Sequence, residues 1–521
     1  MRILPLFLIQ GVQSSMSSPV SITLEPEART WAQAAGAWHD AIALRDDLVF
    51  QGRPLAAWRT QTRRELGLPE QAVIIATGHQ AAIWHPGILV KYIAADRLVR
   101  TIRREAIALD VIVDQDVNDV AAIEAPVRPG AGRLAARRVA LLPEAAGDDS
   151  RPVESRAASQ PLPLPAGVAW ALPSVEAGLG RTREALALQA GASNAAMQFA
   201  GAAAELRSPW VGAMPRVFAS GLPRSSFSQA LVSAMLLDPR GCAGTYNAAV
   251  AEASDAGLTM LEVTGSSVEL PLWRLDEAGR RTPVFAHELE SVDPAWLRPR
   301  ALTMTAIIRL AVADLFIHGR GGFIYDRVME RWINAWLGLP AAPMTLATAD
   351  VRLPLPTATD QGVAEAIASY RRVWHDPPLA DAVEEKSPSR DREGAVDGPS
   401  ISPAKRALLD RVYAAPRRSP ARRAAFDAYQ RWLRQARAAR PEVIDAARRS
   451  IDLAIADRAE REIAIRRDWP FPLYPREVLD ELARAVEHAI DRAGESGVVG
   501  VRSLPVASHS TETISSRSTF G

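Results

Sequence analysis

Apolar residues recur at three- and four-residue spacing between positions 27 and 66, where Trp31, Trp38, Leu44, Leu48, Trp58 and Leu66 mark amphipathic helices. The pattern then changes to short unbroken apolar runs. "AVIIAT" and "AIALDVIV" (residues 106–113) are of the buried-strand type, and the segment Ile88–Glu105 between them has helical periodicity through Ile88, Leu89, Tyr92, Ile93, Leu98 and Val99. A strand–helix–strand unit of this length predicts a parallel crossover. The expected fold class is therefore α/β, with ligands at the carboxyl ends of the strands.

Residues from about 125 to 167 are rich in Pro, Gly, Ala and Arg and read as a linker-like insertion. A second α/β stretch runs from Pro209 to Leu339, with strand-like "PWVGAMPRVFA", helical "FSQALVSAMLLD" and hairpin-like "SSVELPLWRLDEAGRRTPVFA". Residues 384–403 are polar, Pro/Ser-rich and without period, so they are expected to be disordered. From Lys405 to Arg467 the chain is helical and Arg-rich, with Pro441 as a break. Its narrow stripe (Phe426, Tyr429, Leu433, Ile444, Ile451, Ile455, Ile463) suits a helical hairpin or coiled-coil arm and predicts a homodimer through it. The organisation expected is an N-terminal extension (1–26), a core (27–345), a connecting region (346–403), a helical arm (404–467), a closing segment returning to the core (468–500) and an unstructured tail (501–521).

Composition narrows the function classes. A chain of 521 residues is long enough for two or three domains, and its formal charge of +1 gives no net attraction to nucleic acid or membrane. The Arg-rich arm carries interspersed Asp and Glu, which favours a solvated face over an RNA-binding one. One cysteine, Cys242, allows neither a disulfide framework nor a CxxC zinc site, and a reducing compartment fits. Cys242 lacks a histidine partner in the sequence pattern and reads as structural. The apolar run Ile3–Ile9 is short, is broken by Pro5 and has no small-residue cleavage pattern, so a cytoplasmic protein with an over-extended start (Met16 as the alternative) is expected. No window matches an uninterrupted membrane span, since Ala301–Ile317 contains Arg309 and Asp314.

Candidate chemistry concentrates in "TGHQAAIWHPG", the loop after the first strand. Gly78 and Gly87 permit close backbone approach, free helix N–H groups near Gly87 suit an anion, and His79 and His85 can donate, exchange protons or ligate. The simpler alternative is that the histidines cap the turn and pack on Trp84. Neither a Walker loop nor GxGxxG is present. The second strand ends in "VDQDVND", placing Asp114, Asp116, Asn118 and Asp119 where they can face the same crevice and hold an amine or hydroxyls, or form only a solvated turn. "SGLPRSS" offers Arg224 near a helix start, with Ser225 or Ser226 read as an N-cap. "LRPR" and "FIHGRGGFIYD" give Arg298, Arg300, His318, Gly319, Arg320, Gly321, Gly322, Tyr325 and Asp326, the glycines and Arg320 forming a cationic turn that feeds a helix. No metal-ligand set is predicted.

Taken in order, these segments resemble the bacillithiol-synthesis cysteine-adding enzyme family, BshC: a Gly-Gln-rich loop after the first strand, an acidic run after the next, an "LRP" segment leading to a Gly-Gly turn, a helical arm, and a Pro-rich closing segment, here "RDWPFPLYPREVLDEL". His79 stands where the family has glutamine, and Gln115-Asp116 replaces an Asp-His pair. The resemblance implies a Rossmann-like parallel-sheet core, a coiled-coil arm, a homodimer, and condensation of cysteine with a glucosamine–malate conjugate. It implies His79 and Asp116 as catalytic residues. Gly78, Gln80 and His85 would bind anionic or sugar groups, and Asp114, Asn118 and Asp119 the amine or hydroxyls. Arg224, Arg320, Gly321, Gly322 and Tyr325 complete the expected substrate site. A nucleotide, ATP or ADP, is an open cofactor. Two other readings stand beside it: a nucleotidylyltransferase, although His79 and His85 lie six apart rather than in a close His-x-Gly-His, and a non-catalytic metabolite-binding protein of the same fold.

Overall fold

The computed structural model describes residues 20–130, 132–143, 150–253, 257–356, 362–379 and 401–495. The expected insert at 384–403 lies outside these residues up to position 400, as do the tail and the N-terminal extension as far as residue 19.

Six strands build the main sheet: β1 (Val20–Glu25), β2 (Val73–Gln80), β3 (Ala106–Val113), β4 (Arg216–Phe218), β5 (Leu315–His318) and β6 (Met344–Val351). Their spatial order is β1-β6-β5-β2-β3-β4. All neighbours are parallel except the β1–β6 edge pair. The α/β class expected from the runs "AVIIAT" and "AIALDVIV" therefore holds. β1 adds an edge strand where the sequence suggested only an N-terminal extension, and β6 lies beyond the predicted core boundary.

The continuous apolar runs follow from burial on both faces. In β2, Val73 and Ile75 enter one core while Ile74 and Ala76 enter the other; in β5, Leu315 and Ile317 face opposite to Phe316. One layer includes α1 (Pro86–Thr101) and the helices Pro173–Leu188, Ala195–Arg207 and Arg476–Glu495. The other includes α2 (Ala301–Ala311), α3 (Arg320–Leu337), Leu55–Glu65 and Pro239–Ala251. Cys242 is buried there, and its carbonyl accepts from the Trp332 indole at 3.2 Å.

The amino end of the sheet is clamped by charge. Asp314, just before β5, receives Arg59 at 2.5 Å and Arg63 at 2.8 Å, and the Ile74 N–H donates to it at 2.8 Å. Burial alone would raise this carboxyl, but Arg59, His39 and Arg63 hold it down to about 2.

The segment expected as a linker contains an antiparallel ribbon, Ala122–Val127 with Ala135–Ala140. The hairpin predicted around Asp276–Gly279 forms from Ser267–Leu275 and Arg281–Phe285. The arm comprises Pro403–Ala414, Pro420–Ala438 and Pro441–Ala464, the last packed on an earlier helix, Val363–His375. No helix among the described residues is long and apolar enough to cross a membrane.

Candidate functional site

From β2 the chain steps outward through β3 to β4, then returns to β5 on the other side of β2. The strand order thus reverses between β2 and β5, the place where an open parallel sheet leaves a crevice beyond its carboxyl ends. A cavity of about 450 Å³ occupies it. Its walls come from Gly78, His79 and Gln80 of β2, His85, Ile88 and Lys91 of α1, Gln115 and Asp116 after β3, Met304 and Thr305 of α2, His318 through Gly322 and Tyr325 at β5 and α3, and Arg467 and Asp468 of the closing segment.

Gly78 is dictated by the sheet. A Cβ there would overlap the Val111 carbonyl of the adjacent strand. The next residue, His79, shares the face of Val73 and Ile75. Burial, with Lys91 and His85 nearby, lowers its imidazole well below the ordinary range, and its buried Nδ1 has no hydrogen-bond partner among the described residues. Gln80 donates to Asp116 at 3.4 Å, joining the two predicted motifs, and Arg281 approaches the same carboxylate at 3.2 Å.

His85 fills the capping role foreseen as the simpler alternative and also lines the cavity. Its Nδ1 accepts from the Gly87 N–H at 3.1 Å, so the neutral ring carries its proton on Nε2. Pro86 has no N–H to give. The start of α1 is thereby satisfied internally, and the anion-binding end expected near Gly87 is not free. Trp84 stacks on Tyr92 with ring centroids 4.8 Å apart, and His79 meets the Trp84 edge at 6.1 Å.

α3 differs. Gly319 occupies its N-cap position with no side-chain cap, and Gly321 and Gly322 form its first turn rather than a preceding loop. Arg320 reaches Asp350 at 3.2 Å, and Arg467 takes the other oxygen of that carboxylate at 2.5 Å. The closing segment is held here by the Phe471 N–H, which donates to the Trp84 carbonyl at 2.6 Å.

Two groups complete it: His318, named with the Gly-rich segment but given no role there, and Lys91, which the sequence did not single out. His318, at the end of β5, bonds through Nε2 to Asp326 of α3 at 2.8 Å, and Asp326 also accepts from Arg309 of α2 at 2.6 Å. Burial would raise Asp326, but His318 and Arg309 hold it down to about 2; burial keeps His318 below the usual imidazole range despite Asp326. The carboxylate can only accept, so the His318 proton sits on Nε2 and its Nδ1 is left as a base. A Cβ at Gly322 would lie 2.7 Å from that Nδ1, so the glycine keeps it uncovered. Tyr325 meets the His318 ring edge-on at 6.4 Å, and burial raises its phenol. Lys91, the other group, donates to the Gly78 carbonyl at 2.5 Å, and burial lowers its amine to about 7.

The remaining predicted residues lie elsewhere. Asp114 turns to Ser220, whose N–H donates at 2.9 Å. The Asn118 carbonyl accepts from Arg156 at 2.8 Å, and Asp119 pairs with Arg138. Arg224 is exposed, outside the cavity, and Ser225 caps the helix Ser226–Leu237 as predicted. Among the described residues no group of three or more His, Cys, Asp or Glu is arranged to hold a metal ion. The cavity thus combines a positioned base, a carboxylate for a cation or hydroxyl, and a surplus of donors for an anion. Neither protein-family profiles nor curated proteins match the chain.

Proposed function

We propose that the protein is a ligase of the BshC type, joining cysteine or a similar amino acid to the amine of a sugar conjugate in low-molecular-weight thiol synthesis. One observation carries the reading: "GHQ", "QD" and "HGRGG", from three of the segments on which the resemblance rests, line one cavity together with Arg467-Asp468 of the closing segment. A Rossmann-like core is supported by the reversal of strand order between β2 and β5.

In this reading Asp116 receives the substrate amine and His318 accepts its proton as the nitrogen attacks the cysteine carboxyl carbon. The C–O bond breaks and its oxygen leaves on the phosphoryl group that ATP supplies, a net loss of water from the two substrates. Asp326 keeps the His318 tautomer fixed. His79 and Tyr325 orient the sugar conjugate, and Gly322 leaves the base open to it. Held reactants account for a large part of such catalysis. Homodimerisation through the arm is supported by its exposed apolar side chains Phe426, Leu453 and Ile455.

The test is incubation of the protein with cysteine, a glucosamine–malate amine and ATP, read by mass spectrometry. A product at the summed mass less water is expected. Pyrophosphate release without cysteine would replace the reading with nucleotidyl transfer, and thermal shifts without turnover would replace it with a binding protein.

A further inference from the structure

Only three of the chain's 61 Lys and Arg residues are lysine: Lys91, Lys386 and Lys405. Among the described residues arginine supplies the other buried cations: Arg156 donates to the Arg151 and Asn118 carbonyls, and Arg59, Arg63, Arg207, Arg298 and Arg309 each face a carboxylate. Lys91 does not. It is 3% exposed, its hydrogen bond goes to a backbone carbonyl, and no carboxylate lies within ion-pair distance among the described residues. His79 and His85 face it from its own side of the sheet and His318 from across it, and none of these is an anion. Asp110, the carboxylate acting on it from further off, is taken by Arg207 at 2.5 Å.

The wall around Lys91 repeats the same deficit. The buried Nδ1 of His79 has no hydrogen-bond partner among the described residues. The start of α3 has no cap, and its Gly319 stands over the lysine stem, a Cβ there falling 3.8 Å from Lys91 Cδ. A buried cation without a counter-charge is costly, while helix N–H groups and an ammonium together suit an oxyanion. We propose that Lys91, His79 and the first turn of α3 form a subsite for one oxyanion of the substrate, a phosphate or a carboxylate. The choice of lysine in an arginine-rich chain then has a reason: guanidinium cannot give up its proton, whereas this buried amine is mostly neutral above about pH 7 while the subsite is empty and takes up a proton when the anion arrives. This rests on the cavity being the substrate site, and it names the substrate group that the site selects.

The full-length protein provides the test without substitution. Its lysines are labelled with trace acetic anhydride at pH 8, with inorganic phosphate or succinate at matched ionic strength, and read by peptide mass spectrometry. Lys386 and Lys405 serve as internal controls. One of the anions should slow Lys91 labelling by roughly ten-fold or more at saturation and leave the controls unchanged. Protection by phosphate alone assigns a phosphate, and protection by succinate assigns a carboxylate. Calorimetry in two buffers of different ionisation heat should show uptake of about one proton with the anion, lost in Lys91→Arg. Labelling of Lys91 that neither anion changes, or no labelling of Lys91 in the free protein, overturns the proposal. Protection without formation of the cysteine adduct removes the ligase reading and leaves the subsite standing; adduct formation without protection does the reverse.

Discussion

Burial and the neighbouring Glu154 raise the Asp114 carboxyl to about 7, although the Ser220 N–H and hydroxyl both donate to it. The folded chain therefore holds this proton where the unfolded chain, with a carboxyl near 3.9, has released it. Stability falls as pH rises from about 4 to about 7 and then levels. Asp114→Asn should gain stability over the parent across that window, reaching a few kcal/mol by about pH 7. Urea unfolding at several pH values checks this, and a difference that does not vary with pH contradicts it. Lys91 acts in the opposite sense, because its folded amine gives up a proton near 7 and its unfolded amine near 10.4. The stability advantage of Lys91→Met should be largest below about pH 7 and should vanish toward about pH 10. His79→Ala should weaken substrate binding by roughly 1.5–3 kcal/mol while the fold persists, measured by titration calorimetry. His79, Gln80 and Asp116 are legible because each stands at or just past the carboxyl end of an apolar strand in an α/β unit; the expected loop begins later than the sequence suggests, since Thr77 to Gln80 still belong to β2. Lys91 was hidden in "GILVKYIAA", which reads as a core stripe, although its rarity was a usable signal. Arg467 and Asp468 open the closing motif "RDWPFPLYPREVLDEL", but nothing local places them at the cavity, where the Phe471 bond to Trp84 holds the segment.

Individual elements depend on a few fixed contacts. Asp314 joins the strand β5 to the helix Leu55–Glu65 through Arg59 and Arg63. Asp314→Asn leaves two buried guanidinium groups short of a counter-charge and should cost about 3–5 kcal/mol, read by chemical unfolding. A loss below about 1 kcal/mol would mean that the carbonyls around Arg59 and Arg63 suffice. The helices and the long parallel strands were readable from their periodicity, whereas the ribbon Ala122–Val127 with Ala135–Ala140 was not. "AIEAPV" and "AARRVA" have weak strand composition, and the ribbon is held from outside. Glu460, on the arm helix Pro441–Ala464, pairs with Arg128 at 3.0 Å and accepts from the Leu134 N–H at 3.2 Å. A contact that spans over three hundred residues of chain leaves no local pattern. For α3 the Gly-Gly segment was recognised as the start of a helix, but its place inside the first turn follows from Gly319 acting as N-cap.

At the scale of the whole molecule, the sheet gathers segments far apart in the chain around one crevice, and the arm carries exposed Tyr413, Phe426, Leu453 and Ile455 outward. Light scattering of the full chain should give a dimer mass, and removal of the arm should give a monomer; a monomeric full-length protein contradicts the interface. The α/β class and the cavity's main segments could be read from the sequence because strand ends in a parallel sheet converge on a common edge. The edge strand β1 and the arm's packing on Val363–His375 depend on pairings between distant segments and could not. The account's central claim is that the crevice between β2 and β5 is where chemistry occurs. It is tested most directly by the rate of cysteine-adduct formation in the parent and in Gly322→Ala, whose added methyl would cover His318 Nδ1 at 2.7 Å. With unfolding midpoints checked for both and the rates read well below them, the account predicts that the substitution lowers the rate by about 10²-fold or more while the protein stays folded. Equal rates in the two proteins would contradict it.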